Sequence, residues 1–122
     1  VAVMSIRFSD KEKKLLNFIL SFKDNGNICK FTLDDYKKFV NFSRELSQTA
    51  VMKQLRDDLD NITSILIQYK EKNKGQGTFH IFNGCDVFKG KITMIVSQSY
   101  FYYLRHSDEY DWHRGKAKTV FI

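Results

Sequence analysis

The period of the sequence changes once between Thr32 and Val96, and that change limits the folds open to the chain. Up to about Asn61 the apolar residues recur at helical spacing, and beyond it they alternate as in strands. Thr32-Leu33-Asp34-Asp35 opens a short helix through Val40, with Thr32 and Asp35 as its cap. Asn41-Phe42-Ser43-Arg44 breaks it, and a longer amphipathic helix runs from Ser47 to Asn61. Ser64 to Tyr69 reads as a strand. The loop Lys70-Glu71-Lys72-Asn73-Lys74-Gly75-Gln76-Gly77 follows, basic and loosened by two glycines. Phe79 to Val96 folds back on itself at Lys89-Gly90, with a bulge or turn at Asn83-Gly84.

The flanks add elements of the same kind. Ser9-Asp10-Lys11-Glu12 is a capping box, opening a helix to about Lys23 with Leu15, Leu16, Ile19, Leu20 and Phe22 on one face. Ile28-Cys29-Lys30-Phe31 alternates as a strand expected to pair with the later hairpin. Ser97 caps a last helix in which Tyr100, Phe101 and Leu104 face the core and Tyr102 and Tyr103 are partly exposed. The expected fold class is α+β. It is a winged helix-turn-helix, with three to four helices packed on a small antiparallel β-sheet with a basic wing. Residues 8–104 form that domain, and residues 105–122 form a polar, irregular tail with a strand-like end at Val120–Ile122. Met4 reads as a native start, with residues 1–7 a tag or disordered leader.

A chain of 122 residues with 43% hydrophobic and 15% aromatic content suffices for one core. With no proline, its turns must use Gly, Asn and Asp. The formal charge is +6 and uneven: residues 1–60 hold 11 Lys/Arg against 9 Asp/Glu, and residues 61–122 hold 9 against 5. Such a balance suits polyanions, nucleic acid first and an anionic membrane surface second, although solubility alone also explains a basic surface. Cys29 and Cys85, both in predicted strands, are expected as buried thiols of a reducing cytoplasm. No apolar run reaches the roughly 18 residues of a membrane span.

Ammonium groups on a turn suit phosphates, which ask for charge and reach more than for fixed geometry. Lys70, Lys72 and Lys74, with Lys89 and Lys91 at the neighbouring turn, are the candidates, and Gln76 offers a hydrogen bond to a sugar or base. The bland alternative is a solvated lysine loop. A recognition helix presents its first residues to the major groove, which here are Ser47, Gln48, Thr49, Ala50 and Lys53, with Arg44 in the turn before. Asp57, Asp58 and Asp60 on its second half oppose deep insertion. His106, Asp108, Glu109, Asp111 and His113 gather in the tail without a metal-ligand spacing. With no nucleophile motif and no phosphate-binding glycine loop either, no enzyme, metal or cofactor is expected. A metal-dependent nuclease ranks last.

Certain stretches, taken in order, resemble the N-terminal winged-helix domain of plasmid replication initiators of the RepA, RepB and RepE type. They are Phe8 to Leu16, Phe31 to Tyr36, Leu55 to Ile67, Phe88-Lys89-Gly90-Lys91-Ile92 through Ser97, and Tyr100 to Leu104. The resemblance covers residues 8–104. It implies a DNA-binding domain of replication initiation, cytoplasmic, with duplex DNA as partner and no small-molecule substrate. Members of that family carry two such domains. The second usually makes the principal DNA contacts, and the first supports dimerisation and secondary contacts. The alternative function is therefore a dimerisation or protein-interaction module, with Tyr102, Tyr103 and Val120–Ile122 at its edge.

Overall fold

The computed structural model describes residues 8–41, 46–71, 75–106 and 110–116, the last of these as backbone. Helix α1 spans Asp10–Leu20 and opens with the expected capping box. Glu12 N donates to Ser9 Oγ (3.1 Å), and Ser9 N donates to Glu12 Oε1 (2.8 Å). Strand β1 (Ile28–Thr32) runs directly into α2 (Leu33–Val40), where Thr32 and Asp35 exchange the same pair of bonds. Helix α3 (Gln48–Thr63) is the longest. Its stripe of Val51, Leu55, Leu59 and Ile62 is buried against Leu15, Leu16 and Ile19 of α1 and Tyr36 of α2. Each such side chain contributes roughly 1.5–3 kcal/mol by leaving water. Phe18 joins α1 to the next layer, stacked on Phe39 (4.4 Å between centroids) and edge-on to Phe31 (5.2 Å).

Strands β2 (Ile65–Glu71), β3 (Gln76–His80), β4 (Phe82–Phe88) and β5 (Lys91–Val96) follow, then α4 (Gln98–Arg105) and β6 (Tyr110–Lys116). Among the described residues, four helices with antiparallel sheets make the fold α+β. The strands form two sheets, where one small sheet was expected. In the first, ordered β1-β5-β4, β1 pairs with the later hairpin as the winged-helix layout implies. The second, ordered β3-β2-β6, has β2 at its centre. The run from Phe79 to Phe88, which reads as one strand, is divided at buried Ile81, because β3 pairs with β2 and β4 with β5. Asn83-Gly84 is a bulge: the register shifts between Phe82 and Gly84.

Three expectations need correction. The tail is not irregular throughout, since Tyr110–Lys116 pairs with the whole of β2. Its polar composition hides it, because sheet membership is conferred by the partner's backbone. Cys29 is buried, but Cys85 is exposed. Strand β4 lies at a sheet edge, and Phe82 is its one buried residue. Leu104 is 52% exposed, while Tyr103 packs against the core and stacks on Tyr100 (5.9 Å). The inward line of α4 therefore follows Tyr100 and Tyr103, and Leu104 falls on its flank.

Candidate nucleic-acid interface

Ser47 caps α3, its Oγ accepting from Ala50 N (3.2 Å), so this hydroxyl organises the first turn. Gln48, Thr49, Ala50 and Lys53 are all exposed, as is Arg56. Thr49, Lys53 and Arg56 are spaced four and three apart and share one face. Sequence reasoning passed over Arg56 among the acidic residues that follow it, although the spacing from Thr49 and Lys53 points to it.

The acidic half of α3 is less acidic on its surface than its sequence reads. Asp57 and Asp60 are exposed, but Asp58 is buried among the three helices. Its carboxylate accepts from Tyr36 Oη (2.5 Å) and pairs with Lys11 Nζ (3.3 Å). Burial, and then the hydrogen bond to Asp58, hold the Tyr36 phenol far above its ordinary pKa, so it stays a donor. A second buried carboxylate, Glu12, accepts from Asn61 Nδ2 (3.0 Å). Together these bonds fasten α3 to α1 and α2, so the exposed face of α3 is presented by a fixed support.

The turn between β4 and β5 has two residues, Lys89 (φ 48°) and Gly90 (φ 73°), both left-handed as a tight hairpin requires. Leu33 N donates to Gly90 O (2.8 Å), tying the turn to the start of α2. Lys89 and Lys91 are exposed there. Lys70 and Gln76 are exposed too, but they are register partners in the other sheet. The chain leaves that turn along β3 and arrives at the Lys89 turn along β4, so the two basic turns belong to separate hairpins of separate sheets. Arg44, Lys72 and Lys74 lie outside the described residues, as do Asp108, Glu109 and Val120–Ile122. Tyr102 is 40% exposed and stacks on His106 (4.1 Å).

Among the described residues no three His, Cys, Asp or Glu side chains gather as metal ligands. Nor is any described helix long and apolar enough to cross a membrane. The described residues thus present a fixed helix start bearing amide, hydroxyl and cationic groups and, separately, a cationic turn tied to the start of α2. Such surfaces can accept phosphates and offer hydrogen bonds to base edges. No curated protein and no solved structure matched the chain in comparison. Among protein families, the one described as "Initiator Replication protein, WH1" matches residues 1–117. With nearly its whole length matched and the α+β fold in place, the chain belongs to the initiator replication protein family, as its WH1 domain.

Proposed function

We propose that this domain binds double-stranded DNA in the replication initiation of a plasmid or other mobile element. The start of α3 faces the major groove, with Gln48, Thr49 and Lys53 toward base edges and Arg56 toward the backbone. Ser47 holds the first turn. Lys89 and Lys91 take phosphates, and Arg44 adds a further cationic contact. Lys70, Lys72, Lys74 and Gln76 form a separate phosphate contact from the second sheet. On this reading the protein works in the cytoplasm, where its DNA lies, and a homodimer doubles the basic surface. The observation that carries it is the exposed polar and cationic face of Gln48, Thr49, Lys53 and Arg56 at the start of α3, on a helix held to α1 and α2 through Asp58, with Asp57 and Asp60 exposed only in the turns that follow.

The test is duplex binding across a salt series. Binding should weaken with salt, and each phosphate contact removed should flatten the logarithmic slope by about 0.9. A K53A/R56A variant should lose affinity at every salt concentration. K70A should change the slope and little else. A native chain that forms dimers by light scattering yet binds no duplex at low salt sinks the proposal in favour of the interaction module.

A further inference from the structure

Helix α4 turns Tyr100 and Tyr103 inward. Gln98, Phe101, Tyr102 and Arg105 follow at steps of three, one and three residues, so they share another face of the helix. Gln98, Tyr102 and Arg105 are exposed, and Phe101 is half-buried. Across from this face runs the loop that joins α1 to β1. Between the two lies a groove of about 630 Å³, with Gly26 and Asn27 on its second wall. That volume falls within the roughly 300–1,000 Å³ of sites that seat compact ligands.

Both walls are held in place. Val96 N donates to Asn27 O (2.8 Å), and Asn27 Nδ2 donates to Val96 O (3.2 Å), so β5 pins the loop. Lys23 Nζ closes the loop on itself by donating to Asp24 O (3.1 Å) and Gly26 O (3.2 Å). The same ammonium lies 5.5 Å from the centre of the Phe101 ring on the facing wall. Tyr102 is stacked on His106 (4.1 Å). Walls formed in advance spare a ligand the entropy of ordering them. The groove therefore has an aromatic centre with one cation from each wall, Lys23 and Arg105. Arg105 has no acidic partner among the described residues. Asp24, the acid of the facing loop, already accepts from Gly26 N and Ile28 N.

We infer that this groove takes an acidic peptide segment of a partner protein. One large apolar side chain of the segment lies against Phe101 and Tyr102, and carboxylates on either side of it meet Lys23 and Arg105. A guanidinium suits a carboxylate because it can donate two parallel hydrogen bonds. The net charge of +6 draws an anionic partner and disfavours a second copy of the chain. A duplex fits less well. It carries a charge about every 1.7 Å along its axis and keeps its bases stacked inside, whereas here two cations are separated by rings. The groove shares no residue with the start of α3 or with either basic turn, so the inference stands apart from the DNA-binding reading.

The test titrates the full chain at low salt into a fluorescein-labelled peptide, Gly-Asp-Asp-Phe-Asp-Asp-Gly, and follows anisotropy. Saturable binding is expected. Tyr102→Ala and Arg105→Ala should each weaken it by about five-fold or more, as should a peptide with Ser in place of Phe. Arg105→Lys, which keeps the charge and loses the fork, should fall between Arg105→Ala and the native chain. Lys13→Ala removes the same charge from an exposed position on α1 and should change binding less than about two-fold. Native melting temperatures for the Tyr102 and Arg105 variants show that the loss is not one of folding. No saturable binding by the native chain overturns the inference, and so does binding that neither Tyr102→Ala nor Arg105→Ala alters. Equal binding of the Ser peptide reduces the contact to bare charge and overturns the apolar seat. Two results without peptide binding reassign the groove. Duplex affinity lost in Tyr102→Ala makes it a nucleic-acid surface, and a doubled mass by light scattering lost in Tyr102→Ala makes it a contact between copies.

Discussion

Two kinds of carboxylate carry different loads. Asp58 is buried and serves Tyr36 on α2 and Lys11 on α1 at once. Asp58→Ala leaves a buried phenol without its acceptor, and the expected loss is about 1–3 kcal/mol by urea denaturation. Asp58→Asn, which still accepts from Tyr36, should lose less. Asp24 and Asp35 are surface carboxylates held below their ordinary range by backbone N–H donors. Asp24 accepts from Gly26 and Ile28, and Asp35 accepts from Thr32. Both bind protons less readily folded than unfolded. Their stabilisation is therefore complete above the ordinary carboxylate value and is lost as pH falls through the lower folded values. Melting temperature should decline on acidification below that ordinary value, and Asp35→Ala should show a shallower decline than the native chain.

Elements here are set largely by local signals, and their faces by what lies across from them. The caps at Ser9, Thr32, Ser47 and Ser97 all form at the start of the helices they precede. Each is written in four or five consecutive residues, which is why helix starts were legible. The end of α1 was not, since it stops at Leu20 with no glycine to mark it. In the second sheet, Tyr69 lies across Gly77, and a Cβ placed there collides with the Tyr69 hydroxyl and the adjoining ring carbons. Gly77→Val should displace Tyr69 from its packing against Phe79 and lower stability, with a change in tyrosine fluorescence as the readout. Neither residue announces this contact, because it depends on the register of β2 against β3.

At the scale of the whole molecule, β6 makes the C-terminal region part of the fold. It pairs with β2 from Ile65 to Glu71, so β2 has a partner on each side. A chain ended at His106 should expose that edge of β2. We expect a lower melting temperature and a greater tendency to aggregate, measurable by calorimetry and light scattering.

The order of elements through α4, apart from the break between β3 and β4, the α+β class, the apolar face of α1 and the hairpin at Lys89-Gly90 were determined by sequence, and Asn83-Gly84 was marked as a bulge or turn. Each follows from periodicity, caps or left-handed turn residues acting over a few positions. The first turns of α3 were legible as an exposed polar face for the same reason. Only the tertiary structure decided that Asp58 turns inward, that the two basic turns belong to different sheets, and that Phe88 stands exposed between lysines. The physical reason is range. Caps and turns are satisfied by neighbours in sequence, whereas burial and strand pairing are conferred by residues dozens of positions away.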